Sequence, residues 1–283
     1  MGTTLAIANQ KGGVAKTTTV ASLGAALAEL GHSVLLVDLD PQACLTFSLG
    51  IDPEDLELSV HQVLTQGVPA AEVIIATDDG VDLLPATIEL ARAEAELLTR
   101  TGREQALRAV LEDLAESGTA YDWVLVDCPP SLGVMTVAAL TAADGVLIPL
   151  QCETLSHRGV GQLLDTVHDV RRFTNRGLQV WGVLPTLYDG RTTHARTVLE
   201  TISETYDLEV VEPPIPKTIK FAEAPAAGRS ILATSRSSKG ATAYREVAEN
   251  LVARSKRPKA KTKKAAGKAS GKAAGKGTPK AGT

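Results

Sequence analysis

The octapeptide Lys11-Gly12-Gly13-Val14-Ala15-Lys16-Thr17-Thr18 stands between a short apolar run and a segment with helical spacing. The apolar run, residues 3–8, predicts a buried strand, and the segment after the octapeptide predicts a helix that Gly31 ends. In such a turn the backbone N–H groups converge on an anion, and the positive end of the new helix adds to the attraction. The octapeptide therefore predicts a cradle for nucleotide phosphates. Lys16 would neutralise the β- and γ-phosphates, and the Thr17 hydroxyl would bind Mg²⁺.

The octapeptide departs from the strict P-loop pattern. That pattern has glycine immediately before the lysine and again five residues earlier, where this chain has Ala15 and Gln10. A second lysine, Lys11, stands at the front of the loop instead. Because alanine avoids a left-handed backbone, we expect a negative φ at Ala15. The alternative interpretation is a glycine-rich turn whose lysines both lie in solvent.

Two later strand patterns each end in aspartate. Residues 33–37 and 121–126 predict buried strands, which lead into Asp38-Leu39-Asp40-Pro41-Gln42 and Asp127-Cys128-Pro129-Pro130-Ser131. Open α/β sheets bind their ligands at the carboxyl ends of the strands. Asp127 is placed to hold Mg²⁺, and Asp40 is placed beside the metal to orient or activate the attacking water. A helix N-cap is the alternative role for either aspartate. Three motifs in this order favour the nucleotide site.

Together these motifs resemble the ATP site of the ParA/Soj partitioning ATPases, which carry the deviant Walker A motif of the ParA/MinD superfamily. Residues 184–192 and 214–224 resemble the family as well, and the resemblance spans residues 3–253. It implies ATP and Mg²⁺ as cofactors. The nucleotide-binding residues that it implies are Lys11, Gly12, Gly13, Val14, Ala15, Lys16, Thr17, Thr18, Thr186 and Pro216, the last two bordering the adenine. It implies Lys11, Lys16 and Asp40 as catalytic residues and Thr17, Asp40 and Asp127 as metal ligands.

Strand and helix patterns alternate along residues 1–255. Such alternation predicts one α/β domain, a doubly wound and mostly parallel sheet with helices on both faces. Residues 207–211 are interpreted as a short edge strand. The last helical pattern covers residues 240–254.

Composition supports one large domain with an aliphatic core, since 44% of the 283 residues are hydrophobic and only 3% are aromatic. No run approaches the roughly 20 apolar residues of a membrane span. The first strand begins at once, which leaves no room for a signal peptide, so a cytoplasmic location is expected. The three cysteines form no CxxC pair, which argues against an iron–sulfur carrier.

The net charge of −4 conceals two opposed regions. Residues 256–283 contain ten of the 29 basic residues and no acid, which leaves 19 basic and 33 acidic residues in 1–255, a net charge of −14. The Lys/Ala/Gly composition after residue 255 predicts a disordered tail. A polyanion contact with DNA is its functional interpretation, and a solubilising tail is the alternative.

The resemblance further implies an ATPase that dimerises when it binds ATP, attaches non-specifically to DNA and is reset by hydrolysis, during chromosome or plasmid partitioning. Hydrolysis would be slow, and a ParB-like protein would stimulate it at the nucleoid. The candidate DNA-binding residues are Arg191, Lys217, Lys220, Arg229 and Arg245. A MinD-like positioning ATPase, acting at a membrane or on a protein partner, and an ATP-binding scaffold remain the alternatives. We expect no integral membrane contact.

Overall fold

A computed structural model describes residues 2–153 and 156–256. Its strands are β1 Thr3–Ile7, β2 Val34–Asp38, β3 Ile75–Ala76, β4 Asp82–Leu84, β5 Trp123–Asp127, β6 Gly145–Gln151 and β7 Gln179–Thr186. Its α-helices are α1 Lys16–Glu29, α2 Cys44–Ser48, α3 Val60–Gln66, α4 Leu90–Leu98, α5 Ala106–Glu116, α6 Val134–Ala142, α7 Ser156–Phe173, α8 Thr193–Tyr206, α9 Lys220–Glu223, α10 Ile231–Thr234 and α11 Lys239–Ser255.

The seven strands form one sheet in the order β3-β4-β2-β5-β1-β6-β7. Every pairing between neighbours is parallel except the one between β3 and β4. The predicted mostly parallel sheet is therefore confirmed. The antiparallel pair lies at one edge, where β3 contributes only two residues.

Each face of the sheet packs against its own layer of helices, because successive side chains of a strand point to opposite faces. In β1, Leu5 and Ile7 pack with α1 and α11, whereas Ala6 belongs to the cluster that contains residues of α3 to α8. Both layers are mainly aliphatic, as the composition predicted. The doubly wound architecture is confirmed.

The predicted edge strand over residues 207–211 is wrong. The structure has only an isolated bridge there, between Val183 and Val210, supported by hydrogen bonds on both sides of Val183. Asp207 takes a left-handed backbone as it ends α8, and two prolines follow Glu212. The extended segment between the helix cap and the prolines is too short to continue the ladder.

The chain's last described helix, α11, ends at Ser255. The predicted tail, residues 256–283, lies outside the described residues apart from Lys256 and stays a prediction. Among the helices that the structure describes, none has the length and apolar character needed to cross a membrane.

Candidate nucleotide site

The three predicted motifs meet at one edge of the sheet. The strand order places β5 between β1 and β2, and the pairing register sets Asp127 opposite both Ile7 and Asp38. The loop after β1 therefore lies beside the two aspartate-bearing ends. This is the edge at which open parallel sheets bind ligands.

The loop between β1 and α1 keeps open space beside its glycines. Gly13 has a left-handed backbone with φ 72°, and a Cβ atom added to Gly12 or Gly13 would meet no atom within 4 Å. The helix α1 begins at Lys16, directly after this space. The loop can thus admit an anion against its backbone and the positive end of a helix.

The expectation for the backbone of Ala15 was wrong. Its φ is 64°, a left-handed conformation, where a negative φ was predicted. The preceding residue, Val14, is held by another part of the chain, because the buried Thr186 hydroxyl donates to the Val14 carbonyl at 2.9 Å. Tertiary contacts and the helix start impose the loop path, and the alanine carries the conformational cost of about 1–2 kcal/mol.

Replacing Ala15 by glycine should therefore stabilise the nucleotide-free protein. Glycine removes the left-handed penalty but loses about 0.4–1 kcal/mol more in unfolded-chain entropy. We expect a net gain of about 0.5–1 kcal/mol, measured as a higher urea midpoint with an unchanged m-value. The matched control is Ala95→Gly in the exposed middle of α4, which should destabilise by about 1 kcal/mol. An Ala15→Gly variant no more stable than wild type would contradict the strain argument.

Lys16 is buried, with 7% of its surface exposed. Its Nζ donates to the Lys11 carbonyl at 3.3 Å, so the side chain lies under the loop. Burial lowers the pKa of Lys16, and the nearby carboxylate of Asp127 opposes that shift. A buried ammonium in a loop with open space in front of it is suited to a polyanionic ligand.

Thr17 and Asp127, 110 residues apart, are brought into contact. The Thr17 hydroxyl donates to Asp127 Oδ2 at 2.7 Å. The other carboxylate oxygen, Oδ1, is buried without a hydrogen-bond partner. Burial raises the pKa of Asp127, and the neighbouring Asp38 adds to the shift. A divalent cation would supply the missing partner and favour the ionised carboxylate.

The chemistry of these donors fits Mg²⁺ held together with phosphate oxygens. Mg²⁺ takes one or two protein oxygens and completes its shell with water and substrate phosphates. Within residues 2–153 and 156–256, no group of three His, Cys, Asp or Glu side chains forms a protein-only metal cage. Thr17 and Asp127 would hold the ion beside the phosphates that Lys16 neutralises.

Asp38 shapes the loop that carries Asp40, a role that sequence reasoning missed. Asp38 is fully buried and accepts hydrogen bonds from the Thr46 amide and hydroxyl, at 2.9 and 2.8 Å. It also accepts from the Asp40 amide at 3.1 Å. Asp40 itself accepts from the Gln42 amide at 3.0 Å and is partly exposed at the same edge of the sheet. The placement is consistent with the predicted role of Asp40 beside the metal, which stays a prediction.

Asn9 is a second residue that the sequence reasoning missed. Its side chain is buried, donates to the Pro149 carbonyl at 2.8 Å and accepts from the Lys11 amide at 3.0 Å. These two bonds fasten the front of the loop to β6. In the sequence, Asn9 is a polar residue at the end of an apolar run. That position does not predict which residues its side chain contacts.

Thr186 and Pro216 were predicted to border the adenine. Thr186 supports the loop through Val14, as described above, and Pro216 forms an isolated bridge with Tyr188. That bridge brings together the two segments in which the adenine contacts were predicted, residues 184–192 and 214–224. Their contact with the base stays a prediction.

The five candidate DNA-binding residues fall into two groups. Arg229 pairs with Asp79 at 2.9 Å, Arg245 with Glu29, and Lys220 with Glu223 at 2.7 Å. These pairs neutralise the three cations within the protomer. For the other two candidates the described residues provide no ion pair; they are Arg191 and Lys217, both exposed.

The bridge between Tyr188 and Pro216 also brings the segments of Arg191 and Lys217 side by side. The Lys217 amide donates to the Tyr188 carbonyl at 3.3 Å, and Arg191 follows three residues after Tyr188. The structure thus brings together two of the five candidates. It places Arg229 and Arg245 in ion pairs with residues of other segments.

The chain matches the AAA domain family over residues 2–180. It is 42% identical over 254 residues to the sporulation initiation inhibitor protein Soj of Bacillus subtilis, which covers 89% of this chain and 99% of that protein. It is 39% identical over 258 residues to the chromosome partitioning protein ParA of Caulobacter vibrioides, which covers 91% of this chain and 96% of that protein.

Among solved structures, the chain is similar to a Mycobacterium smegmatis protein described as cobyrinic acid a,c-diamide synthase, with bound ADP and magnesium. The TM-score is 0.79 and the identity 56%, over 89% of this chain and 94% of that chain. The same protein has also been solved with an ATP analog and magnesium.

Proposed function

Because this chain belongs to the ParA/Soj family of partitioning ATPases, we propose that it binds ATP with Mg²⁺ and dimerises in that state. The dimer attaches to DNA without sequence preference, and hydrolysis of ATP resets it. The observation that carries the proposal is the contact between Thr17 and Asp127 beside the buried Lys16. The solved relative with bound ADP and magnesium supports the choice of cofactors.

The residues of the site divide the work. The loop and Lys16 bind the phosphates, Thr17 and Asp127 hold Mg²⁺, and Asp40 orients the attacking water. Mg²⁺ supplies charge neutralisation at the transferred phosphoryl group. Lys11, partly exposed at the front of the loop, reaches the phosphates of the partner protomer. Hydrolysis of ATP would be slow, and a ParB-like protein would stimulate it. Hydrolysis would then release the dimer from the nucleoid.

Arg191 and Lys217 are the best-supported DNA contacts, since no carboxylate of the described residues forms an ion pair with them. Of the five candidates, one protomer offers only these two without an ion pair among the described residues, since Lys220 on the same segment pairs with Glu223, whereas a dimer doubles the number. The DNA affinity of the globular domain should therefore depend on ATP. The basic segment 256–283 would add a contact that does not depend on nucleotide.

The double substitution Arg191→Ala and Lys217→Ala should remove ATP-dependent DNA binding. Removing one cation from a phosphate changes the slope of log K against log salt by about 0.9, so four such cations per dimer account for at most about 3.6. Filter binding at several salt concentrations, with and without a non-hydrolysable ATP analogue, measures the slope. The matched control is Arg245→Ala, because Arg245 already pairs with Glu29.

The same titrations are repeated with a protein truncated after Lys256. The truncation should weaken the DNA binding that does not depend on nucleotide, because it removes most of the basic segment. An unchanged ATP-dependent slope in the double variant would contradict the proposed DNA surface. A protein that binds anionic lipid vesicles and does not bind DNA would favour the MinD-like alternative instead.

ATP-dependent amide synthesis is a second candidate, because the relative at 56% identity bears the description diamide synthase. Such a reaction needs a carboxylate substrate and an ammonia source as well as ATP. Burial raises the pKa of Cys44, Cys128 and Cys152, all within the described residues, which is the opposite of an activated thiol for releasing ammonia from glutamine. ATP turnover without any carboxylate substrate would favour the partitioning function, and turnover that requires one would favour amide synthesis.

A further inference from the structure

Glu153 lies at the same edge of the sheet as the loop, two residues after the end of β6. Its carboxylate pairs with the Lys11 ammonium, with 2.5 Å between Nζ and Oε2. The two residues are 142 positions apart. The lysine at the front of the loop is therefore held, within its own protomer, by an acid from another segment.

The pairing follows from how the loop is fastened. Asn9 joins the Lys11 amide to the Pro149 carbonyl of β6. Because β6 continues from Pro149 toward Glu153, the same strand that anchors the loop also brings the carboxylate to the lysine. The contact between Lys11 and Glu153 therefore follows from the path of β6 and the anchored loop.

Two lysines act on the carboxylate. The hydrogen bond and charge of Lys11 lower the pKa of Glu153, and the charge of Lys217 lowers it further. Glu153 is therefore ionised at neutral pH and competes for Lys11 with any other anion. Both side chains remain partly accessible, at 34% for Lys11 and 52% for Glu153, so a second anion can reach the lysine.

We propose that Glu153 is a positioning residue that retains Lys11 in its own protomer and so opposes ATP-dependent dimerisation. The proposal rests on the proposed function, in which Lys11 crosses to the partner's nucleotide. The lysine must leave the carboxylate before it can neutralise the partner's phosphates. Glu153 thereby raises the protein concentration at which the dimer forms.

The expected size of the effect follows from the exposure of the pair. Exposed ion pairs change an equilibrium constant by about 1.4-fold to fivefold each, and one dimer breaks two of them. Removing the carboxylate should therefore tighten the dimer dissociation constant by about twofold to thirtyfold. Salt should reduce the difference, since screening already weakens the pair.

The test compares the full-length wild type with Glu153→Gln, which keeps the side-chain size and removes the charge. Sedimentation velocity over a dilution series, with Mg²⁺ and a non-hydrolysable ATP analogue, measures the dissociation constant. The matched control is Glu116→Gln at the exposed end of α5, which changes the net charge equally. Both substitutions are repeated in a Lys11→Ala background over a higher range of protein concentrations, because a dimer without the crossing lysine is expected to be weaker. The effect of Glu153→Gln on the measured dissociation constant should vanish there.

If Glu153 only stabilised the fold, the effect of Glu153→Gln on dimerisation would not depend on Lys11. The double variant therefore separates a structural role of Glu153 from its action on Lys11. If the wild type dimerises and Glu153→Gln has the same or a larger dimer dissociation constant, the proposed restraint of Lys11 by Glu153 is overturned and the proposed function stands. If both remain monomeric with saturating analogue, the dimer and the restraint are overturned together. An effect of Glu153→Gln that persists without Lys11 also overturns the restraint.

Discussion

Lys16→Ala is expected to abolish nucleotide binding, with at least about a hundredfold rise in the ATP dissociation constant. The ammonium is buried under the loop, where charge-assisted hydrogen bonds to phosphate are screened little by water. No other lysine of the described residues lies buried in the loop to replace it. Isothermal titration with ATP and Mg²⁺ measures the loss.

The matched control for Lys16→Ala is Lys239→Ala, an exposed lysine at the start of α11. It removes the same charge and should leave ATP affinity unchanged. Thermal unfolding without nucleotide checks that Lys16→Ala remains folded. A Lys16→Ala protein that is folded and binds ATP as tightly as the wild type would show that the loop is not a phosphate cradle.

Asp40→Ala is expected to retain ATP and lose its hydrolysis. Loss of a group that orients or deprotonates the attacking water costs about a hundredfold to ten-thousandfold in rate. The cradle residues Lys16 and Thr17 are untouched, so ATP affinity should change by no more than about threefold. A single-turnover assay with the variant and excess enzyme separates the chemical step from product release.

Asp40→Asn distinguishes the charge of Asp40 from its role in the loop. The amide oxygen can still accept the hydrogen bond that Asp40 now accepts from the Gln42 amide. We therefore expect Asp40→Asn to bind ATP like the wild type and to hydrolyse it as slowly as Asp40→Ala. Wild-type turnover in both variants would remove Asp40 from the mechanism.

Local patterns in the sequence sufficed for the elements around the site. The strand β1, the glycine loop and the helix α1 follow one another along the chain, so their composition and spacing are enough to predict them. Asp127 ends β5 and Asp40 follows the end of β2 by two residues, so both lie at the carboxyl edge that parallel strands share, while their roles stay predictions. The capped helix α3 was absent from the prediction, although Ser59 and Gln62 form a capping box at its start.

Tertiary contacts decided what the local patterns could not. Asn9 and Lys11 meet residues of β6 and the segment after it more than 100 positions away, and these partners follow from the strand order. Periodicity predicts that a strand exists but says nothing about its neighbours. The ion pairs of Arg229 and Arg245 depend on the same long-range arrangement, which is why sequence alone gave all five basic candidates equal standing.

Ala15 shows the limit most directly. Its intrinsic preference is for negative φ, and the sequence by itself supported that expectation. The fold instead anchors Val14 through Thr186 and starts α1 at Lys16, so the residue between them takes a left-handed backbone. The chemistry of the loop was determined by the order of its residues, whereas its conformation and the partners of its lysines were decided by packing. Contacts made across the sheet outweigh a local preference of about 1–2 kcal/mol.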